Sequence, residues 1–154
     1  MLHTGTVEAG TLDLLRGIQT ISGMGDMRLV GGTALALQLG HRKSVDLDFF
    51  GRFDENFSFR RTLIAAMKMS AAANRGRNKD FIDIAFLLDV FSLSEMFKLY
   101  KVKFSVSDYS FALRGLTYFD DAEEDPMPEM LIPVTWGEVK KKIGACVRSF
   151  VDVQ

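Results

Sequence analysis

The chain has 154 residues, of which 47% are hydrophobic and 25% are charged, the usual balance of one folded globular domain. Its 19 basic and 20 acidic side chains give a formal net charge of −1, so overall charge predicts neither a nucleic-acid nor a membrane partner. Cys146 is the only cysteine, which excludes an intramolecular disulfide and argues against a zinc site. No run approaches the roughly 18 apolar residues of a membrane span, and the N-terminus does not resemble a signal peptide. We therefore expect one cytoplasmic domain over residues 1–154 with no membrane partner.

Elements of mixed type are predicted in the first third of the chain. Apolar residues at helical spacing predict a helix over residues 7–21. A short apolar run at 27–30 then enters Gly31-Gly32, and strong helix formers follow, so a strand, a glycine turn and a short helix capped by Thr33 are expected. Residues 40–44 turn the chain, and the alternation of residues 45–50 predicts a half-buried strand.

The pattern after residue 60 is helical almost to the end of the chain. Helices are predicted over residues 63–74, 79–90, 92–104, 107–119 and 135–151. Ser92 and Glu95 have the spacing of a capping box. The fold class is therefore α+β, with a sheet-bearing part at 1–58 and a helical part at 59–154.

Charged residues are also unevenly distributed. Six basic side chains and no acidic one lie between Arg60 and Lys79, whereas six acidic and no basic ones lie between Asp120 and Glu129. This separation is compatible with an anion-binding face, and equally with two solvated segments.

Gly31, Gly32 and Thr33 are the first candidate site. Two glycines let backbone N–H groups approach an anion without a Cβ in the way, and the helix that follows presents a partly positive N-terminus, so a phosphate can bind there. A tight turn that only needs glycine conformations explains the same residues.

Asp46 and Asp48 are the second candidate. On a strand, side chains two residues apart point to the same face, so both carboxylates can converge on Mg²⁺. A polar strand face in water is the alternative. Together with the glycine turn 14 residues earlier, the pair suggests one loop that holds phosphates and another that presents the metal bridging them.

The third candidate is a group of charged residues on two predicted helices. Lys68 and Arg75 share one helix face, and Asp80 and Asp83 share another, with Lys79 beside them. Such a group can bind a triphosphate and orient or deprotonate an acceptor hydroxyl. Surface ion pairs between the two helices are the structural alternative.

Three blocks of the sequence resemble a known family. They are LVGGTALALQLGHRKSVDLDFF (29–50), AAMKMSAAANRGRNKDFIDIAFLL (65–88) and LRGLTYFDDAEEDPMP (113–128). Together they resemble the AbiEii/AbiGii nucleotidyltransferase toxin family, a branch of the polymerase-beta-like nucleotidyltransferases. Such proteins are the toxin half of bacterial toxin–antitoxin or phage-defence systems.

The resemblance implies a small mixed sheet with a helical C-terminal part, and nucleotidyl transfer that uses Mg²⁺ and a nucleoside triphosphate, in some relatives onto tRNA. It also implies an antitoxin protein as a partner. Carried over by residue, Gly31, Gly32 and Thr33 bind phosphate, and Asp46 and Asp48 bind the metal. Nucleotide contacts would come from Lys68, Arg75 and Lys79, and Asp80 would be the catalytic base.

The sequence departs from the family pattern after Asp48. In such folds a third carboxylate comes from a later strand, but only 19 residues separate Asp48 from Lys68, too few for a helix, a turn and a strand. Asp54 or Glu55 is the available substitute. An internal deletion that removes a strand would uncover part of the core, so a homo-oligomer or an exposed apolar patch is expected. It also raises a second hypothesis, a catalytically inactive relative that serves as a nucleotide- or protein-binding module.

Overall fold

The computed structural model describes residues 1–22, 27–51 and 61–153. Within these residues the chain has seven α-helices and two β-strands, which confirms the predicted α+β class. It divides into two compact units, one of residues 1–58 with 129–132 and one of residues 59–128 with 133–154. Residues 129–132 therefore lie with the sheet-bearing part, although the division predicted from sequence assigns them to the helical part.

The first unit is built around a short buried helix. A 3-10 helix, Thr4–Thr6, is followed by α1 (Ala9–Thr20), β1 (Arg28–Val30), α2 (Gly31–Leu39) and β2 (Asp48–Phe50). The strands pair antiparallel, with Val30 opposite Asp48 and Arg28 opposite Phe50. Among the described residues the sheet is this antiparallel pair rather than the mixed sheet expected. The apolar run of α2 is buried at Ala34, Leu35, Ala36 and Leu37, and this burial fixes the helix N-terminus beside β2.

Residues 41–43 form an extended, paired segment rather than the turn predicted over 40–44. Arg42 forms an antiparallel bridge with Met130, and the Lys43 N–H donates to the Glu129 carbonyl at 2.8 Å. The reversal itself occurs at Gly40, whose φ of 69° is the left-handed conformation that glycine adopts without strain.

Three local predictions in this unit are corrected by the structure. α2 begins at Gly31, so Thr33 lies inside the helix and does not cap it. β2 begins at Asp48, so Asp46 precedes the strand. The predicted helix at 7–21 is shorter, Ala9–Thr20, and none of its residues is buried.

Apolar side chains are exposed on and next to α1. Leu14 is 56% exposed, and Ile21, which follows the helix, is 55% exposed. Burial elsewhere in the first unit comes chiefly from α2.

The second unit is helical. It contains α3 (Arg61–Arg75), α4 (Asn78–Leu87), α5 (Leu93–Phe104), α6 (Ser110–Gly115), a 3-10 helix Asp120–Ala122 and α7 (Trp136–Asp152). α3 packs against α4, α5 and α6, while α7 packs against α4 and α5. The predicted helices are confirmed, although the one expected at 107–119 is the shorter α6.

The helix boundaries in this unit follow from local chemistry. Gly76, with a φ of 52°, ends α3. Ser92 and Glu95 form the predicted capping box of α5, and Thr135 and Glu138 form a second one on α7. No helix of the described residues is long and apolar enough to cross a membrane.

Candidate functional site

The glycine turn joins β1 directly to α2. Gly31 has a φ of 70°, and a Cβ at this position would meet the Oδ2 atom of Asp48. The backbone conformation therefore disfavours any residue but glycine here, and a side chain would also require the Asp48 carboxylate to shift. Gly31, in the predicted phosphate turn, therefore lies against Asp48, one of the two aspartates of the Asp46-Leu47-Asp48 (DxD) motif.

Thr33 connects the turn to the segment before β2. Its hydroxyl group is fully buried and hydrogen-bonds the Ser44 hydroxyl at 2.8 Å. It also donates to the main-chain carbonyl of Asp46. These bonds hold the Asp46 backbone beside the N-terminal turn of α2, so Thr33 orients the segment that carries Asp46.

The carboxylates of Asp46 and Asp48 are suited to a hard cation. Both residues are exposed, and carboxylate oxygen is the donor that Mg²⁺ prefers. No cluster of three or more His, Cys, Asp or Glu side chains able to hold a metal occurs among residues 1–22, 27–51 and 61–153. Asp54 and Glu55, the suggested third ligands, lie outside the described residues. In donor chemistry the pair fits a Mg²⁺ ion, which would need further oxygen ligands.

Arg42 lies against Gly32 and is not among the candidate residues predicted from the sequence. The residue is only 3% exposed, and its Nη2 atom is 2.5 Å from the position of a Cβ on Gly32. Its Nη1 atom donates to the Lys43 carbonyl at 2.9 Å. The HRKS segment (41–44) alone does not indicate that Arg42 is buried. Its burial follows from the pairing of this segment with residues 129–132, which the local sequence does not reveal.

Lys68, Asp80 and Asp83 form a buried ion cluster in the second unit. The Lys68 Nζ atom lies 2.8 Å from Asp80 Oδ1 and 2.8 Å from Asp83 Oδ2, and all three side chains are at most 5% exposed. The Nε of Arg75 reaches Asp80 Oδ2 at 2.8 Å, and its side chain is 55% exposed. The sequence predicts surface ion pairs between these two helices as the alternative to a binding site. Ion pairs between α3 and α4 are present, but the Lys68, Asp80 and Asp83 side chains are buried.

Asp80 is held as a carboxylate. Burial by itself raises its pKa, but hydrogen bonds from Arg75 and the charge of Lys68 outweigh this and bring the pKa below the ordinary value. Both oxygens accept hydrogen bonds from cations. A carboxylate with a lowered pKa accepts a proton poorly. This argues against the role of catalytic base that the family resemblance implies for Asp80.

The acidic loop contacts the start of α4. Asp125 Oδ2 accepts from the Asn78 N–H at 3.0 Å and from Arg77 Nε at 2.8 Å, and these bonds lower its pKa. Lys79 is half-buried in the same first turn and adds its positive charge to the field at Asp125. The basic and acidic segments of the second unit are therefore paired at this point.

Comparisons with known proteins agree with the motifs. A family model described as Nucleotidyl transferase AbiEii toxin, Type IV TA system, matches residues 13–65 and 59–150. The uncharacterized protein aq_aa25 of Aquifex aeolicus (strain VF5) is 28% identical over 186 residues, which span 82% of this chain and 89% of that protein. The aligned stretch is longer than the 154 residues of this chain, so it includes positions without a counterpart here. No solved structure matches the chain significantly.

An α+β fold in which a glycine turn meets a DxD carboxylate is that expected of a nucleotidyltransferase. The chain belongs to the AbiEii nucleotidyl transferase toxin family of type IV toxin–antitoxin systems. Membership of a toxin–antitoxin family suggests an antitoxin as the partner. The family model covers both units, including the two motifs of the first unit and the buried ion cluster of the second.

Proposed function

We propose that the chain transfers a nucleotidyl group from a nucleoside triphosphate to an acceptor hydroxyl, with tRNA as the acceptor to test first. The observation that supports this most directly is the contact between Gly31 and the carboxylate of Asp48. It joins a turn suited to phosphate with a group suited to the metal that accompanies phosphate.

In this proposal the first unit binds the charged part of the nucleotide. Gly31 and Gly32 present main-chain N–H groups to phosphate oxygens, and Asp46 and Asp48 hold Mg²⁺. The ion would neutralise phosphate charge that builds up during the transfer. Thr33, through the Asp46 carbonyl, keeps the segment that carries Asp46 in place.

The chemistry needs no nucleophilic side chain of the protein. The acceptor oxygen forms a bond to the α-phosphorus, the bond from that phosphorus to the bridging oxygen breaks, and pyrophosphate leaves. The acceptor proton passes to a base. Positioning and charge neutralisation supply most of the rate enhancement in such transfers.

For the second unit the proposal separates two roles. Arg75 and Lys79 are proposed as nucleotide contacts, because the Arg75 side chain is 55% exposed and Lys79 is half-buried. Lys68 and Asp80 are proposed as positioning residues, because their charges are buried and paired with each other. Asp80 accepts hydrogen bonds from Arg75 Nε at 2.8 Å and from Arg75 Nη2 at 3.0 Å. In this proposal Asp80 therefore orients the Arg75 guanidinium rather than acting as the base.

The proposal is tested by incubating the protein with each labelled triphosphate, Mg²⁺ and total tRNA. Label on the RNA with one triphosphate is the expected result. Absence of label together with absence of triphosphate binding in calorimetry would sink the enzymatic proposal.

A second function, a binding module without catalysis, is favoured by one observation. Among the described residues no third carboxylate accompanies Asp46 and Asp48. The double variant Asp46→Asn, Asp48→Asn separates the two hypotheses. Equal Mg²⁺ and nucleotide affinity in this variant and the wild type would favour the module, while loss of Mg²⁺-dependent binding would favour the enzyme.

A further inference from the structure

The acidic loop of residues 120–125 caps helix α4 from a distance. The residue at the N-cap position of α4 is Arg77, which is not among the side chains that usually cap a helix, although the first N–H groups of a helix need an acceptor from outside it. Asp125 supplies one from 47 residues away, since its Oδ2 atom accepts from the Asn78 N–H at 3.0 Å. The same oxygen accepts from Arg77 Nε at 2.8 Å. Asp125 therefore binds both the N-cap residue and the first residue of α4.

The loop that carries Asp125 is itself held by α7. Glu123 accepts from Trp136 Nε1 at 3.2 Å and from Lys140 Nζ at 2.6 Å. The ring of Phe119, just before the loop, meets the Trp136 ring edge-on with centroids 5.8 Å apart. Asp125 thus projects from a segment that is anchored on a neighbouring helix, and its cap has a fixed support.

The first turn of α4 carries two of the residues proposed to serve nucleotide binding. Lys79 and Asp80 directly follow Asn78, and the Asp80 N–H donates to the Arg77 carbonyl at 2.9 Å. Asp80 in turn accepts from Arg75 Nε at 2.8 Å. A shift of this turn would therefore move Lys79 and Asp80 and, through Asp80, the guanidinium of Arg75.

We propose that Asp125 is a positioning residue which, by capping α4 from the acidic loop, holds Lys79 and Arg75 in the arrangement that binds the triphosphate. This inference rests on the proposed function and deepens it. Asp125 does not touch the nucleotide, and its carboxylate is paired with Arg77, so the inference requires no net charge at this place.

The proposed role and the charge of Asp125 predict results of opposite sign. Lys79 is close enough to interact with the Asp125 charge, so loss of this carboxylate would by itself favour an anion beside Lys79. Loss of the cap instead loosens the first turn of α4 and weakens the binding of the same anion. The direction of the change in affinity therefore separates positioning from simple repulsion.

The test measures the affinity of the full chain for each of the four ribonucleoside triphosphates with Mg²⁺ by calorimetry. Asp125→Ala removes the cap, and Asp125→Asn keeps an oxygen that can accept from the Asn78 N–H but loses the charge that binds Arg77. Glu124→Gln is the control, because it removes a negative charge from an exposed neighbour in the same loop and leaves both Asp125 bonds in place. Thermal unfolding of each variant identifies the temperatures at which it is folded.

Asp125→Ala is expected to bind the triphosphate about fivefold more weakly than the wild type, the effect of losing one helix cap. The affinity of Asp125→Asn is expected to lie between these two, and Glu124→Gln should bind as well as the wild type or slightly better. Equal affinity of folded Asp125→Ala and wild type would show that the cap serves stability alone and would overturn the inference. Tighter binding by both Asp125 variants, or an equal loss in Glu124→Gln, would assign the effect to charge and refute it as well.

Failure of this inference is distinguishable from failure of the proposed function. If the wild type binds triphosphate, Asp46→Asn, Asp48→Asn does not, and Asp125→Ala binds as the wild type does, the inference falls and the function stands. If the wild type binds no triphosphate, both fall. If Asp125→Ala does not fold, Asp125→Asn decides: weaker binding than the wild type supports the inference, and equal or tighter binding contradicts it.

Discussion

The ammonium group of Lys68 lies 2.8 Å from the Oδ1 atom of Asp80, and the two side chains are 5% and 0% exposed. Such a buried pair is costly to break, because removing the lysine takes away a positive charge that compensates carboxylates in a poorly solvated place. The relationship joins α3 to α4, so the cluster affects the stability of the second unit whatever its role toward a nucleotide.

The variant Lys68→Met is expected to lower the free energy of unfolding by about 3–5 kcal/mol, since it leaves two buried carboxylates without their shared cation. Urea unfolding followed by circular dichroism measures the change. Arg16→Gln is the matched control, because Arg16 pairs with Asp13 at 3.0 Å with both side chains more than 70% exposed, and its unfolding midpoint should stay at the wild-type value. Equal midpoints for Lys68→Met and wild type would contradict the burial of the cluster.

The lowered pKa of Asp80 gives a pH dependence of stability. Because the folded-state pKa lies below the ordinary aspartate value of 3.8, the unfolded chain binds the proton first as the pH falls. The stabilisation from Asp80 is therefore complete above that value and is lost as the pH falls through the folded-state pKa. The stability difference between wild type and Asp80→Asn should be constant near neutral pH and shrink below about pH 4. A difference that grows on acidification would contradict this assignment.

Gly115 is predicted to be a packing requirement of α6. A Cβ at this position would lie 2.6 Å from the Cα atom of Ala73 in α3, and backbone cannot move aside as a flexible side chain can. Gly115→Ala is expected to destabilise the protein by about 1–3 kcal/mol. Gly137→Ala on α7 is the control, since no atom lies within 4 Å of its added Cβ. It should be neutral or stabilising by up to about 1 kcal/mol, as measured by thermal unfolding, and similar losses in both variants would refute the prediction.

Gly32 and Arg42 are expected to be energetically coupled. In Gly32→Ala the added Cβ meets the Arg42 guanidinium at 2.5 Å, and the buried arginine has little room to move. Arg42→Ala removes the obstructing atoms. A double-mutant cycle in urea unfolding should give a coupling of about 1–2 kcal/mol, with the double variant less destabilised than the sum of the single ones. Strict additivity would show that the two residues do not contact each other in solution.

The helices of the second unit could be predicted because their signals are local. The capping box at Ser92 and Glu95 and the apolar spacing of α4 each depend on a few neighbouring residues. The same reasoning assigned Asp46 and Asp48 to one strand, but β2 begins at Asp48. The residue at which β2 begins depends on its pairing with β1. The alternation of apolar and polar residues at 45–50 does not reveal this pairing.

The parts that could not be predicted depend on contacts between distant segments. The burial of Arg42 requires pairing with Met130, far away in the sequence. The sequence predicts the Thr33 hydroxyl at a helix cap, but this hydroxyl holds Asp46, because the helix begins three residues earlier than predicted. The burial of Lys68 between two carboxylates likewise depends on how α3 packs against α4.

The most direct test of the central claim follows two radioactive labels in parallel reactions. The wild type is incubated with Mg²⁺, total tRNA and a triphosphate labelled at either the α- or the γ-phosphate, and the Asp46→Asn, Asp48→Asn variant is treated in the same way after its fold has been verified by circular dichroism. We predict that the α label appears on RNA, that the γ label is released as pyrophosphate, and that the variant transfers neither. Transfer of the γ label, or equal transfer of the α label by the folded variant, would contradict DxD-dependent nucleotidyl transfer.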